Sequence, residues 1–352
     1  MKKSLLALAV LGAFAGVASA QSSVTLFGVV DQSVNYQKTD GRRIITLDSN
    51  QLSSNRIGFK GFEDLGSGLQ AGFWLEAGMN NDVGTAGGSN GLVTNAPGGA
   101  NPAPNAFFNR RSTVSLISKF GEVRIGRDYT PTFWNMVLYD VYGANGIGEG
   151  FNLANLALGT GAASTVRANN SVAYWLPAVA GGFYGRAMVA GSEGVSGQKY
   201  YGGSLNWAGA GLDVGAGVSS TKIISRPDLK DWNIGASYDF GVAKIYGFYN
   251  VSKFDPAQLK TYELSVGVPL GASVINASYT GAKYSGNTTG TMIGKADQYS
   301  LQYIYNLSKR TALYGTVAHL GNKNGATFGF GDIAVAASKS VTGANVGIRH
   351  SF

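Results

Sequence analysis

Trp232-Asn233-Ile234-Gly235-Ala236-Ser237-Tyr238-Asp239-Phe240 alternates apolar with polar or small residues from end to end. A period of two marks a strand whose two faces meet different surroundings. The same pattern recurs: Tyr299, Leu301, Tyr303 and Tyr305 interleave with Ser300, Gln302 and Asn306, and Tyr262, Leu264, Val266 and Val268 with Glu263, Ser265 and Gly267. Near the start, Leu26, Val30, Val34 and Tyr36 fall on one face, with Thr25, Asp31, Ser33 and Asn35 on the other. Strands of about ten residues with one fatty and one wet face are what a barrel embedded in lipid needs.

Between the strands, short links sit at 63–68, 119–121, 208–211, 240–241, 269–271 and 306–309. Longer links rich in Gly, Asn and Asp fall near 38–50, 80–107, 128–166, 192–199, 221–230, 253–259, 284–296 and 321–338. Tight turns at one rim and long loops at the other are the asymmetry of an outer-membrane barrel. The segments number about sixteen, an even count within the range of such barrels. The last strand, Val341 to Phe352, puts Val346, Ile348, His350 and Phe352 on one face. It must pair with the first strand, because an open edge in lipid leaves backbone groups unsatisfied.

Composition agrees. Lys2 and Lys3, the apolar run Leu5 to Val17 and the small residues Ala18-Ser19-Ala20 form an export signal, so residues 1–20 are read as a cleaved signal peptide and 21–352 as the barrel domain. Beyond residue 20 no run of about eighteen apolar residues exists, so no spanning helix is expected. Hydrophobic residues make up 44% of the chain, charged residues only 14%, and there are 52 glycines. A soluble sandwich or propeller shares that composition but not the regular alternation of short and long links. With 0 cysteines, thiol chemistry and zinc–cysteine sites are excluded. The formal charge of +8 is spread along strands rather than gathered in a patch, and with export it argues against nucleic acid as a partner.

One connection, Asp128 to Arg167, is too long for an ordinary link. Tyr129, Phe133, Trp134, Met136, Leu138, Tyr139 and Tyr142 give it too much apolar surface for disorder, so it is expected to fold into the barrel. Side-chain parity then assigns the wall. Arg56 and Lys60 oppose Ile57 and Phe59, Arg124 opposes Val123 and Ile125, and Arg167 opposes Ala168, Val172 and Tyr174. A cation on the lipid face at mid-depth costs about 2–4 kcal/mol, so these four are expected in the lumen. The loop contributes Asp128, Asp140 and Glu149. A basic wall that outnumbers an acidic loop predicts a transverse field and a preference for anions.

Val24 to Asp31, Ser54 to Leu69, Asn109-Arg110-Arg111-Ser112, Phe120 to Arg127, Asn169 to Tyr174 and the ending Gly347 to Phe352 together resemble the Gram-negative general porins, those of neisserial and Burkholderia-type bacteria above all. The resemblance implies a homotrimer of sixteen-stranded antiparallel β-barrels in the outer membrane, each with its third loop folded inward. It implies contact with membrane lipid and lipopolysaccharide, and passive diffusion of ions and small hydrophilic solutes without cofactor or catalysis. It also favours Arg110 as a lumen residue and leaves Arg111 near an interface. The alternative is a substrate-specific channel, which would carry aromatic residues along its lumen.

Other signals are weaker. Gly159-Thr160-Gly161 lacks the strand–turn–helix context of a phosphate cradle. His319 and His350 are the only histidines, thin support for a barrel lipase or a metal site. Asn322, Asn324 and Asp332 lack the spacing of a calcium loop. Trp175, Trp207, Tyr201, Trp232 and Tyr305 are expected in the interfacial girdles.

Overall fold

The computed structural model describes residues 23–87, 92–93, 107–154, 158, 165–177, 181–192, 199–223, 225–286 and 293–352. The signal sequence 1–20 and the Gly159–Gly161 motif lie outside them. Within them the chain closes an antiparallel barrel of sixteen staves. These are β1 (Ser23–Thr39), β2 (Arg42–Ser49, continued by Arg56–Gly66), β3 (Leu69–Asn80), β4 (Arg111–Ser118), β5 (Gly121–Tyr129), β6 (Arg167–Leu176), β7 (Phe183–Ala190) and β8 (Tyr200–Gly209). The second half comprises β9 (Leu212–Thr221), β10 (Leu229–Asp239), β11 (Lys244–Phe254), β12 (Ala257–Leu270), β13 (Ser273–Ser285), β14 (Gly294–Asn306), β15 (Thr311–Lys323) and β16 (Ser340–Ser351). Each stave pairs with its neighbours in sequence, and β16 returns to β1 with Val34 opposite Val346 and Val30 opposite His350. Phe352 donates to and accepts from Gly28 across the seam, completing closure.

The two faces separate by chemistry. Leu205, Ile234, Leu264, Leu301 and Val346 are each more than half exposed, while Asn206, Asn233, Glu263, Gln302 and Asn345 beside them are almost fully buried. Such an inversion has one physical solution: the apolar face meets hydrocarbon, and the polar face meets the lumen and what fills it. Two of the expected long links are instead tight turns. Asp40 and Gly41 both have positive φ, the two-residue hairpin geometry, and Asp255-Pro256 links β11 to β12. The flanking strands simply continue past the rim, so polar turn composition extended the apparent loops.

The connection from β5 to β6 is the third on the long-loop rim. It opens with helix α1 (Pro131–Val137), where Pro131 sits in the first turn and the Thr130 hydroxyl accepts from the Phe133 N–H. Its polar contacts go to buried-face side chains, which places it against the inner wall. Asn135 donates to Asn233 and accepts from Asn206, at 2.8 and 2.7 Å. The Tyr139 hydroxyl donates to Asp213 at 2.8 Å. Gly235 makes the approach possible, since a Cβ there would lie 2.0 Å from the Tyr139 ring. Further on, Gln298 donates to the Gly148 and Glu149 carbonyls, Thr261 to the Leu153 carbonyl, and Ser54 to Asn145. The loop thus runs along β8–β14 and reaches the break in β2, opposite the wall formed by β2–β7.

At the outer rim an apolar core joins the loop to the barrel. Leu153 and Leu158 pack with Leu229, Phe254, Leu259, Leu320 and Val341, and with Phe328, Ile333 and Val335 of the last connection. The Asn322 amide is spent holding that connection, donating to the Phe328 and Lys339 carbonyls.

Candidate functional site: the charged wall of the lumen

Parity on β2, β5 and β6 turns Arg56, Lys60, Arg124 and Arg167 inward, as their sequence periods require. They fall in two connected groups. In the first, Glu76 of β3 holds Arg110 through Nε at 2.5 Å, and the Tyr129 hydroxyl accepts from Arg110 and from Arg167, both at 2.6 Å. The Arg167 guanidinium also lies 4.2 Å from the Tyr129 ring centre. Arg56 shares this field with Glu76, Arg110 and Tyr129, and among the described residues it forms no ion pair.

The second group lies on β4–β7. Arg124 grips Glu122 with two bonds of 2.7 and 2.9 Å and Asp128 with a third of 2.9 Å, while its guanidinium covers Trp175 at 3.5 Å. Arg111 approaches Glu122 and Asp128, both at 3.8 Å, and lies over Trp74 at 4.6 Å. Arg111 is therefore a lumen residue, contrary to the interfacial position expected for it. The reason is a change of backbone: Arg110 precedes β4, where alternation does not yet apply, so consecutive arginines both turn inward. Lys60, four residues along β2 from Arg56 and so about 13 Å from it, rests over Trp74 and Phe27 at 5.1 and 5.6 Å.

The three loop carboxylates do not line up across a gap. Asp128 ends β5 on the basic wall itself, bonded to Arg124 and almost fully buried. Asp140 accepts from the Tyr142 and Ala144 N–H groups at 2.8 and 3.0 Å and lies beside Glu263 of β12. Burial pushes the Asp140 carboxyl up to about 6. Burial and the Asp140 charge hold Glu149 well above the ordinary carboxyl range. Gly150 lets the loop sit this close, because a Cβ there would meet the Glu263 carboxylate at 2.1 Å. Asp140 and Glu149 thus lie with the loop against the far wall, where the Glu149 backbone carbonyl accepts from Gln298, while Asp128 stays on the near one. Parity could not reveal this, since it says nothing of a loop's direction.

Sequence reasoning missed Glu76, Glu122, Arg186 and the lumen aromatics. Trp175, expected in the girdle, faces inward between Arg124 and Arg186, at 3.5 and 4.0 Å. Its parity with Ser171 and Ala173 carried that signal. The rings do not form an open stacking track, because guanidinium groups already cover Trp175, Trp74 and Tyr129. The two histidines lie on the exposed face, each beside a threonine hydroxyl: His319 with Thr342 at 2.8 Å and His350 with Thr311 at 2.9 Å.

Comparison with known proteins agrees with this architecture. A family model described as Gram-negative porin matches residues 7–325. Outer membrane porin protein 32 of Delftia acidovorans is 40% identical over the full length of both chains, and an outer membrane porin of Bordetella pertussis is 28% identical over the same extent. Among solved structures, an anion-selective porin from Comamonas acidovorans superposes with a TM-score of 0.80 at 35% identity, covering 94% of this chain and all of that one. A closed sixteen-stranded barrel, a lumen wall built of arginines and these full-length matches place the chain in the Gram-negative porin family, as an outer-membrane channel protein.

Proposed function

We propose that the channel is a general diffusion pore that prefers anions, with Arg56, Lys60, Arg110, Arg124 and Arg167 forming the selective wall. One observation carries this reading: positive charge on the wall is in surplus. Among the described residues Glu76, Glu122 and Asp128 are matched by Arg110, Arg111 and Arg124, while Arg56, Lys60 and Arg186 form no ion pair. A surplus in a narrow, low-dielectric passage raises the local anion concentration and opposes cations. The Comamonas relative, an anion-selective porin, has the same preference. The loop acids Asp140 and Glu149 act in this reading as anchors that fix the bore, and Asp128 as a spacer between arginines.

The reading includes residues 1–20 as a cleaved leader and 21–352 as the working barrel, assembled as a homotrimer in lipid and lipopolysaccharide. Its cargo is ions and small hydrophilic solutes, with no chemical step. A substrate-specific channel fits less well, because the lumen rings are engaged by the protein's own cations. Planar bilayers under a potassium chloride gradient test the proposal. The reversal potential is expected to show anion preference, and Arg56→Gln with Arg167→Gln to move it toward zero while the barrel still folds. A cation-preferring wild-type channel would refute it.

A further inference from the structure

The arginines of the wall differ in what holds them. Arg110, Arg111 and Arg124 each touch a carboxylate. Arg186, on the inward edge of β7, is about nine-tenths buried and has no ion pair among the described residues. Its guanidinium carbon lies 4.0 Å from the Trp175 ring centre and 4.9 Å from that of Trp134. The two indoles meet at 65°, so they form a corner around it. Nε and Nη1 are buried and lack hydrogen-bond partners. The charged neighbours are Arg124 and Asp128, and Asp128 is already committed to Arg124 at 2.9 Å and Arg111 at 3.8 Å.

We propose that Arg186 is a further selectivity-determining cation of this channel, kept un-neutralised by the indole corner of Trp134 and Trp175. This rests on the anion-preferring reading above and adds a residue to it. An aromatic face attracts a cation through its quadrupole yet carries no net charge, so the charge is held in place without being cancelled. A carboxylate in the same position would hold it equally well and erase its field. Burial does not remove the effect, since Coulomb forces act through the low-dielectric wall without contact with the permeating ion. Trp134 belongs to α1 and Trp175 to β6. The loop therefore positions this charge as well as narrowing the bore.

The test is reversal potential in a potassium chloride gradient for wild type, Arg186→Met, Arg186→Lys and Arg56→Gln. Methionine packs against indoles and needs no hydrogen bond, so it removes the charge with the least damage to the wall. Arg186→Met is expected to lower the anion-to-cation permeability ratio about twofold or more, and Arg186→Lys to retain most of it. A purely structural role would leave the ratio unchanged in Arg186→Met or lower it equally in Arg186→Lys, and either outcome overturns the proposal. If wild type prefers anions and Arg56→Gln alone lowers the ratio, the general reading stands and Arg186 is excluded. If wild type lacks the preference, the general reading fails first.

Discussion

The inner wall of this barrel is two surfaces, though both come from the same alternating strands. Along β2–β7 the inward positions include a continuous group of arginines, acids and aromatic rings, joined by ion pairs and cation–π contacts. Along β8–β14 they are largely amides, hydroxyls and glycines, with Asp213, Asp231 and Glu263 among them, and many are engaged with the third loop. Polar alternation is thus necessary for a lumen face but does not say whether that face meets water or protein. Residue type decides: charges are left where solutes pass, and small neutral groups where backbone must approach closely. Past Trp134 the loop lies mainly on the second surface, and its acids Asp140 and Glu149 sit away from the arginines.

The largest expected effect lies on the charged half. Arg124→Gln leaves Asp128, almost fully buried, with the Tyr129 N–H at 2.8 Å and Arg111 at 3.8 Å as its one remaining ion pair among the described residues. Breaking a buried pair costs about 3–5 kcal/mol, and the remaining arginine should keep the loss near about 3. The temperature at which the folded barrel loses its fast gel mobility should fall accordingly. An unchanged temperature would mean that this cluster is solvated like a surface patch.

Next is the neutral half. Gly235→Val places a side chain where the Tyr139 ring already lies 2.0 Å from an added Cβ. Overpacking of this kind costs about 1–3 kcal/mol, and the cheapest escape is displacement of the loop. Single-channel conductance should rise while ion preference persists, since the arginine wall is untouched. If preference collapses together with the conductance change, the two surfaces are not independent. Asn135→Ala is milder, removing one hydrogen bond each from the Asn206 and Asn233 amides at about 1–2 kcal/mol. It should loosen the loop in hydrogen exchange without moving the ion preference.

These contrasts also show what a linear reading can reach. Barrel closure, the inward turn of Arg56, Lys60, Arg124 and Arg167, and the special third connection were all legible, because each follows from a period of two or from length. Arg111 was not, since its strand begins one residue after Arg110 and only backbone pairing fixes that boundary. The tight turns at Asp40-Gly41 and Asp255-Pro256 were hidden because strands that overshoot the membrane become polar on both faces there. Trp175 was assigned by residue type, when its parity with Ser171 and Ala173 was the better guide. The partners of Asp140 and Glu149 could not be read at all, because a loop carries no period.

The smallest effect concerns that anchor. Asp140 is buried beside Glu263 of β12, and burial favours the protonated, neutral form of its carboxyl. The Asp140 carboxyl, raised to about 6 in the folded chain, binds its proton more tightly there than when unfolded. By linkage, the anchoring free energy is greatest in acid, falls as pH rises from about 4 through about 6, and levels off above that. Between about pH 5 and about pH 7 the loss should be near 1 kcal/mol. Backbone exchange at residues 140–150 should quicken over this range, while β8–β10 contacts to α1, made by neutral amides, stay protected. Asp140→Asn is neutral at every pH and keeps an oxygen for the Tyr142 and Ala144 N–H groups. Its exchange profile should therefore be nearly flat. A wild-type profile already flat across that range would show that the Asp140 carboxyl is not what fastens the loop, and that the bonds from Gln298 to the loop carbonyls suffice.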